Sequence, residues 1–305
     1  MKVAILPVDS PTYPNLALMK IARYYLNQGA TVDFYNPFDH YDILYMSKIF
    51  TFTPDYPYYI TNADQIIKGG TGYDYTAKLP TQIDTLQPYY DIYNVPKNTA
   101  YGFLTRGCVN TCKWCVVPKK EGFIKPYMDV EEIAIENRKH LILMDNNILA
   151  SDYGYDQLDK IITNKIRVDF NQGLDARRID FETAKILARV NWLLFIRIAC
   201  DTSAMVDVCM KAIDNLRRAG FSKQIFIYML INSDINESYN RIRQFRGKKN
   251  VSPFAQPYRD FVTKAEPPQW QKDLARWCNR KELFASTDFP DFYPRKNFKC
   301  SAYFR

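Results

Sequence analysis

Short apolar segments alternate with amphipathic segments along most of the 305-residue chain, and this alternation restricts the possible folds more than any other feature. Strands are predicted over residues 3–6, 31–34, 43–46 and 66–67. Between the first two strands, apolar side chains recur at helical spacing at Leu18, Ala22, Tyr25 and Leu26. Asn15 can cap this helix, and Gly29 follows its end. Strands that alternate with helices form a parallel sheet with helices on its faces, so the pattern predicts an α/β fold.

The same alternation continues in about six further strand–helix units. The predicted strands cover residues 100–104, 141–144, 167–170, 193–199, 225–230 and 251–254. The predicted helices cover residues 130–138 after Asp129, 181–190 after Asp180, and 205–219 before Gly220. Units of this kind make a partial (β/α)6 barrel of the TIM type, two units short of a closed barrel. Because active sites of such barrels lie at the C-terminal ends of the strands, the polar residues after each strand are candidates for function.

The segment over residues 81–100 contains few periodic positions and two prolines, Pro88 and Pro96, which predicts a domain boundary. We therefore expect an N-terminal domain over residues 1–95, a barrel domain over residues 98–265 and a C-terminal extension over residues 266–305.

Hydrophobic residues make up 47% and charged residues 24% of the chain, as in ordinary globular proteins. No apolar run approaches the roughly 18–20 residues of a membrane span, and the N-terminus does not resemble a signal peptide. These features predict a cytoplasmic protein with no membrane partner.

Three of the seven cysteines lie within eight residues, at Cys108, Cys112 and Cys115. A loop with this spacing can wrap three thiolates around one metal centre, and thiolates suit iron–sulfur clusters or zinc. Structural zinc normally has four protein ligands, often as two cysteine pairs. The other cysteines are isolated in the sequence: Cys200, Cys209, Cys278 and Cys300. A cluster with three protein ligands and one open position for a substrate or cofactor fits better. The alternatives are three buried apolar cysteines, or a non-enzymatic zinc- or nucleic-acid-binding module.

The Cys-x3-Cys-x2-Cys motif after the first strand of a six-unit barrel, with Trp114 before its last cysteine, resembles the radical SAM superfamily. The resemblance covers about residues 98–265. It implies that Cys108, Cys112 and Cys115 are the metal-binding and catalytic residues, each holding one iron of a [4Fe–4S] cluster. It also implies that the fourth iron binds the amino and carboxylate groups of S-adenosylmethionine (SAM), with Trp114 near the adenine. An electron donor would reduce the cluster, and SAM would be cleaved to methionine and a 5′-deoxyadenosyl radical. That radical abstracts hydrogen from a substrate that the sequence does not identify.

Polar residues at the ends of the second and third barrel strands are candidates for cofactor binding. The second strand ends in Asp145-Asn146-Asn147, where the radical SAM family often has Gly-Gly-Glu in contact with the SAM amino group. After the third strand, a dense polar set contains Gln172, Asp175 and Arg177. These side chains can bind SAM or substrate, or they can belong to the loop that caps the next helix.

The fourth barrel strand adds two more candidates, Arg197 within the strand and Asp201 after it. An arginine inside an apolar strand needs a polar partner if it is buried. That partner is either the SAM carboxylate or a nearby acidic side chain. The cofactor-binding residues predicted from all strand ends are Trp114, Asp145, Asn146, Asn147, Gln172, Arg197 and Asp201.

Residues 1–95 resemble the Rossmann-like domain that precedes the barrel in the cobalamin-binding class of radical SAM enzymes. The turn Gly69-Gly70-Thr71-Gly72 is similar to the glycine turn of that class, and its glycines would let the backbone approach a ligand closely. The cobalt-binding motif Asp-x-His-x-x-Gly is absent, because the loop after the first strand has no histidine. His40 and His140 are the only histidines of the chain. Cobalamin is therefore an open question as a cofactor, and we expect this domain to recognise substrate.

The string Thr-Arg-Gly-Cys…Cys-Val-Val-Pro-Lys-Lys-Glu-Gly also resembles the methylthiotransferases, which modify tRNA or a ribosomal protein. Those enzymes carry three further cysteines before the barrel, and these cysteines hold the second cluster used for sulfur insertion. This chain has no cysteine before Cys108. Methylthiotransferase activity is therefore not expected.

Positive charge is concentrated near the C-terminus. The formal net charge is +8, from 41 basic and 33 acidic side chains, and residues 239–305 hold 15 of the basic and 6 of the acidic ones. This region interleaves aromatic side chains with basic residues that include Arg241, Arg243 and Arg246. Such a composition can bind nucleic acid by charge and by stacking, so nucleic acid is a predicted partner.

The same C-terminal region has an alternative interpretation as a helical lid on the open barrel. Trp270, Leu274 and Trp277 recur at helical spacing and would then pack as core. Cys278 and Cys300 are also candidates for the ligands of an auxiliary cluster.

Overall fold

The computed structural model describes residues 1–232, 234–260 and 262–304. It is a mixed α/β structure whose main sheets are parallel, as the alternating pattern predicts. The N-terminal sheet contains β1 (Lys2–Pro7), β2 (Thr31–Phe34), β3 (Tyr41–Ser47) and β4 (Ala63–Gly69). Its strand order is β2-β1-β3-β4. The four predicted strands are present, and three of them are longer than predicted because backbone pairing continues beyond the apolar residues.

Helix α1 (Leu16–Leu26) connects β1 to β2 and covers one face of the N-terminal sheet. It begins where the sequence predicts, because the Asn15 side chain accepts a hydrogen bond from Leu18 N at 3.1 Å. Its buried face packs on Val3 and Ile5 of β1, while Ala4 belongs to a small apolar cluster on the opposite face. Burial on both faces is typical of a parallel strand, and it explains why β1 is apolar without alternation.

A second set of strands begins with β5 (Thr99–Gly102) and an antiparallel hairpin of β6 (Thr105–Arg106) and β7 (Lys125–Pro126). A parallel sheet contains β5, β8 (His140–Leu143), β9 (Arg167–Phe170) and β10 (Asn191–Trp192) in the order β10-β9-β8-β5. Another contains β11 (Ile196–Ala199), β12 (Ile225–Ile231) and β13 (Val251–Pro257) in the order β11-β12-β13. A parallel bridge between Leu174 and Ile198 joins the two sheets.

The strand predicted over residues 193–199 is present only from Ile196 onward, as β11, and β10 ends just before the predicted range, at Trp192. Between them the chain bends at residues 193–195, where Leu194 is 56% exposed. Phe195 stacks on Phe226 with ring centroids 4.0 Å apart. The pairing partner also changes, since β10 pairs with β9 and β11 pairs with β12. Apart from Arg197 the run is apolar, so its composition does not indicate where the partner changes.

The remaining helices are α2 (Thr81–Asp84), α3 (Val117–Lys120), α4 (Val130–Ile133), α5 (Asp152–Thr163), α6 (Phe181–Arg189), α7 (Val206–Arg218), α8 (Ile235–Arg243), α9 (Gln269–Cys278) and α10 (Lys281–Ser286). Helices α6 and α7 agree with the prediction, whereas the sequence pattern does not identify α5 and α8, which carry few apolar residues. The helix predicted over residues 130–138 is wrong beyond Ile133. Glu136 and Asn137 take φ angles of 53° and 63°, which lie outside the right-handed helical region.

The C-terminal extension packs into the main apolar core. Leu274 and Trp277 are both buried, as the helical-lid interpretation expects. Trp277 Nε1 donates to Thr287 O at 2.8 Å, and the rings of Phe284 and Phe289 lie 4.9 and 5.7 Å from the Trp277 ring. This core is continuous with the strands of the second set. In the described part of the chain, no helix has the length and apolar character needed to cross a membrane.

The N-terminal sheet contacts the second set of strands through buried polar side chains. Lys20 of α1 is 2% exposed, pairs with Asp84 and donates to the Tyr127 hydroxyl at 3.0 Å. Burial lowers the pKa of Lys20, and Asp84 opposes this change. In the loop after β1, the Tyr13 hydroxyl accepts a hydrogen bond from Asn171 Nδ2 at 3.4 Å. The loop after β1 therefore lies beside the C-terminal end of β9.

Candidate functional site

The three clustered cysteines lie in the loop that connects β6 to α3. This loop comes shortly after β5 in the chain. Their side chains are half-buried, whereas the four isolated cysteines are buried. Cys115 N donates to Cys112 O at 3.1 Å, and Cys108 Sγ accepts a hydrogen bond from Asn110 N at 3.4 Å. The loop is thus held by its own backbone while its thiols stay accessible to a ligand. We call residues 107–116 the cysteine loop.

One buried carboxylate holds the start of the cysteine loop. Glu121, directly after α3, accepts hydrogen bonds from Arg106 Nε at 3.1 Å, Arg106 Nη2 at 2.7 Å and Gly107 N at 2.9 Å. Gly107 has a φ of 87°, and a Cβ atom there would lie 2.4 Å from Phe123 O, so the position requires glycine. Sequence reasoning missed Glu121, although it follows closely after the last cysteine of the motif.

Asp145 is 3% exposed. Both of its carboxylate oxygens accept hydrogen bonds from Leu104 and Thr105, which lie just before the cysteine loop. Oδ1 accepts hydrogen bonds from Leu104 N at 3.1 Å, Thr105 N at 2.6 Å and Thr105 Oγ1 at 2.8 Å. Oδ2 accepts one from Leu104 N at 3.2 Å. Burial raises the pKa of Asp145 to about 6, although these hydrogen bonds favour the charged form. The sequence predicts that Asp145 binds a cofactor, and the structure shows that it supports the cysteine loop.

Asn146 and Asn147 connect the end of β8 to the cysteine loop. Asn146 Nδ2 donates to Glu121 Oε2 at 2.9 Å. Asn147 Nδ2 donates to Asp175 Oδ2 at 3.2 Å and lies 3.6 Å from Cys108 Sγ. Asn147 is 3% exposed, and its Oδ1 has no hydrogen-bond partner among the described residues. A buried acceptor left unpaired costs about 1–3 kcal/mol, so this oxygen is suited to an N–H donor of a bound ligand.

Trp114 of the cysteine loop lies beside Asp201, which follows β11, and its side chain lowers the pKa of that carboxyl. Asp201 Oδ1 also accepts a hydrogen bond from Leu230 N at 2.9 Å. Burial raises the pKa of Asp201, and the hydrogen bond from Leu230 N, the charge of Arg241 and the Trp114 side chain oppose this rise. Two residues that the sequence proposes separately for cofactor binding are therefore neighbours.

Arg197 and Gln172 have partners outside the cysteine loop. Arg197 is 7% exposed, forms an ion pair with Asp169 of β9, and donates from Nε to the Tyr228 hydroxyl at 2.7 Å. The alternative of a nearby acidic partner is thus confirmed for this arginine. Gln172 is exposed, and its Nε2 donates to Asn171 Oδ1 at 3.1 Å. Sequence reasoning missed Asp169, whose only signal is one acidic residue within a short, mostly apolar strand.

The thiols of the cysteine loop are not arranged for a single metal ion. No group of three or more His, Cys, Asp or Glu side chains within the described ranges is placed to hold one. Three thiolates on one zinc ion would lie about 3.8 Å apart, from a Zn–S distance of about 2.3 Å and tetrahedral angles. Cysteine thiolates are also the donor type that holds iron–sulfur clusters. Burial and neighbouring thiols raise the pKa of Cys112 and of Cys115, so metal binding has to displace protons.

The glycine turn after β4 approaches the chain itself. A Cβ atom on Gly70 would lie 2.5 Å from Lys48 O, and Gly72 N donates to Lys48 O at 2.8 Å. These glycines therefore serve a close backbone contact within the N-terminal sheet. Neither histidine of the chain belongs to this turn. His40 pairs with Asp64, and the His140 ring contacts Asn98. The turn thus offers no histidine ligand for cobalt.

Arg241 requires a correction to the predicted nucleic-acid surface. It is 1% exposed, and its guanidinium donates to Cys200 O at 2.7 Å, Leu230 O at 2.8 Å and Glu237 Oε1 at 2.8 Å. A guanidinium whose donors are used inside the core cannot contact nucleic acid. Arg243 is exposed, and nucleic-acid binding by the surface residues of this region stays a prediction.

The two cysteines considered for an auxiliary cluster, Cys278 and Cys300, are both buried in the core. Burial raises the pKa of Cys300 to about 12 and that of Cys278 still further. In the part of the chain that the structure describes, neither belongs to a group of three metal-binding side chains. The core position accounts for both residues as small apolar side chains.

Comparison with known proteins does not extend these observations. The chain matches no protein-family model, and no curated protein matches it. The functional argument therefore rests on the residues of the cysteine loop and on the strand ends around them.

Proposed function

We propose that the chain is a radical SAM enzyme that binds a [4Fe–4S] cluster through Cys108, Cys112 and Cys115. The observation that carries this proposal is the placement of three accessible thiols in one short loop after β5, a strand of a parallel sheet. The proposal includes a Rossmann-like domain over residues 1–95, a partial (β/α)6 barrel over residues 98–265 and an extension over residues 266–305. It also includes a cytoplasmic location and an electron donor as partner.

The cluster would supply the electron that cleaves SAM into methionine and a 5′-deoxyadenosyl radical, which takes hydrogen from the substrate. Trp114, Asn146, Asn147 and Asp201 are the side chains that we assign to SAM. Trp114 belongs to the cysteine loop, Asn147 and Asp201 lie beside it, and Asn146 contacts the Glu121 carboxylate that holds Gly107. Oδ1 of Asn147 is the acceptor that we assign to the SAM amino group, since it is buried without a partner among the described residues. Gln172 is exposed and its side chain contacts Asn171, so we do not assign it to SAM.

Other side chains keep this site in shape. Glu121 and Asp145 hold the backbone at both sides of Arg106, so the start of the cysteine loop is tied to α3 and to the end of β8. The ion pair of Arg197 with Asp169 balances two charges inside the second set of strands. We therefore assign positioning roles to Glu121 and Asp145 and a structural role to the Arg197–Asp169 pair.

Anaerobic reconstitution with iron and sulfide tests the proposal. We expect about four irons per chain, the absorption of an iron–sulfur cluster, and reductive cleavage of SAM to 5′-deoxyadenosine. Replacing Cys108, Cys112 or Cys115 by alanine should abolish cluster binding and cleavage. Cys209→Ala is the matched control, because it removes a buried cysteine outside the loop and should retain both.

Two results would contradict the proposal. One is an intact cluster, verified by iron content and spectroscopy, that does not cleave SAM under reducing conditions. The other is one zinc ion per chain after purification, together with no affinity for SAM, which would favour the non-enzymatic module.

A cobalamin-free preparation that cleaves SAM at full rate would show that the N-terminal domain does not need cobalamin for this step.

A further inference from the structure

A cavity of about 470 Å³ opens beside the cysteine loop, at the N-terminal ends of α5 and α6. Its lining includes Asn110 of the cysteine loop, Ser151 and Asp152 at the start of α5, and Arg178 just before α6. The volume lies within the roughly 300–1,000 Å³ of small-molecule sites. The side chains that we assign to SAM do not line it, so the cavity is a separate feature that the proposed function leaves without a role.

The cavity is connected to the cysteine loop through Asp175, which forms part of its wall. Asp175 Oδ2 accepts hydrogen bonds from Asn110 Nδ2 at 3.1 Å and from Asn147 Nδ2 at 3.2 Å. Asn147 Nδ2 in turn lies 3.6 Å from Cys108 Sγ. A molecule in the cavity would therefore be separated from the first cysteine of the loop by Asp175 and Asn147.

The charged groups of the cavity differ in whether they have partners. Asp175 forms a two-point ion pair with Arg177, with N–O distances of 2.8 Å for both hydrogen bonds. Asp180 is the N-cap of α6 and accepts a backbone hydrogen bond from that helix at 2.8 Å. By contrast, the Arg178 guanidinium and the Asp152 carboxylate form no hydrogen bond or ion pair with the residues that the structure describes. The cavity thus presents one free positive and one free negative group.

We propose that this cavity binds the α-amino-acid end of a small molecule, with Arg178 facing its carboxylate and Asp152 facing its ammonium group. A multiply charged anion such as phosphate fits poorly, because Asp152, Asp175 and Asp180 line the same space. The methionyl end of SAM is not this ligand, because its amino group is assigned to Asn147 Oδ1, which does not line the cavity. The ligand is therefore a free amino acid that binds separately from SAM. Its role as a substrate rests on the proposed function, whereas its binding does not.

Calorimetric titration of the full-length chain, purified anaerobically, tests the inference. The probes are the twenty L-amino acids. We expect at least one of them to bind with a Kd below about 1 mM. The amine and the carboxylic acid that keep the side chain of the tightest ligand should each bind at least about tenfold more weakly, because one charge-assisted contact is lost.

Variants at exposed positions connect the binding to the cavity. Arg178→Gln and Asp152→Asn should each weaken binding at least about tenfold. Arg189→Gln and Asp159→Asn make the same chemical changes on α6 and α5 outside the cavity lining, and should leave binding unchanged. All four side chains are exposed, so the variants should fold, which a thermal unfolding curve verifies.

Competition with S-adenosylhomocysteine shows whether the cavity is separate from the SAM site. We expect the amino acid and S-adenosylhomocysteine to bind simultaneously, and displacement of one by the other would overturn the inference. The inference is overturned if none of the probes binds, or if Arg178→Gln and Asp152→Asn bind as tightly as the original chain. SAM cleavage is measured independently, so the inference and the proposed function can fail separately.

Discussion

The buried ion pair between Arg197 and Asp169 makes a quantitative prediction about stability. Both residues are under 10% exposed, at 7% and 6%, and Arg197 also donates to the Tyr228 hydroxyl at 2.7 Å and to Phe170 O at 3.3 Å. Its guanidinium lies 4.4 Å from the centroid of the Phe195 ring. Arg197→Met would leave the Asp169 carboxylate buried without its charge partner. Asp169→Leu would leave the guanidinium with only neutral acceptors.

Removing one partner of a buried pair costs about 3–5 kcal/mol, because an uncompensated charge stays in a medium of low polarity. Replacing both partners by apolar side chains of similar volume is often neutral. We therefore expect each single variant to lower the free energy of unfolding by about 3–5 kcal/mol, and the double variant Arg197→Met/Asp169→Leu by less than either single one. The loss is a large part of the roughly 5–15 kcal/mol that stabilises a typical domain.

Urea unfolding, followed by circular dichroism and tryptophan fluorescence on the metal-free chain under reducing conditions, measures these differences. The matched control is the exposed pair of Arg218 and Asp214 on α7, with side chains 61% and 67% exposed. Arg218→Met and Asp214→Leu should each change stability by less than about 1 kcal/mol. The reasoning is refuted if the buried single variants cost as little as these controls, or if the double variant costs the sum of the two single ones.

Three further predictions concern the supports of the cysteine loop and the glycine turn. Glu121→Gln removes the ion pair with Arg106 and should lower stability by about 1–3 kcal/mol and reduce iron uptake on reconstitution, whereas the exposed Glu182→Gln should change neither. Because the pKa of Asp145 is raised to about 6 in the folded chain, against about 3.9 when unfolded, the folded state keeps a proton that the unfolded state has lost. The free energy of unfolding of the original chain, measured relative to that of Asp145→Asn, should therefore fall by about 3 kcal/mol between about pH 4 and pH 6 and then stay level. A difference between the two proteins that stays constant across pH 4–7.5 would contradict a raised pKa at Asp145. Gly70 and Gly220 both have a φ of 91°, so alanine would be strained at either position. Only the Cβ atom of Gly70→Ala would also meet another atom, Lys48 O at 2.5 Å. Gly220→Ala should cost about 1–2 kcal/mol and Gly70→Ala clearly more in thermal unfolding, and equal costs would show that the contact with Lys48 relaxes freely.

Local patterns predicted much of the fold because strands and caps depend on neighbouring residues. The parallel pairing of the N-terminal strands was predicted from short apolar runs, the first two of which are separated by a helix with an asparagine cap, and Asn15 makes that cap. Failures occurred where local composition carries little signal. The strand predicted over residues 193–199 begins only at Ile196, after a bend. The predicted helix after Asp129 ends at Ile133, and two later residues adopt positive φ.

The sequence by itself determined that three thiols share one loop, because spacing along the chain limits how far apart they can lie. It also identified the polar strand ends, since the C-terminal ends of parallel strands meet at one edge. Only the tertiary structure decided which of those polar residues reach the loop. Asn147 contacts Cys108 and Asp201 lies beside Trp114, whereas Asn146 reaches only Glu121, which holds Gly107. Asp145 holds the chain just before the loop, and Arg197 is paired with Asp169. These partners come from distant parts of the chain, and hydrogen-bond geometry between distant segments leaves no periodic signal in the sequence.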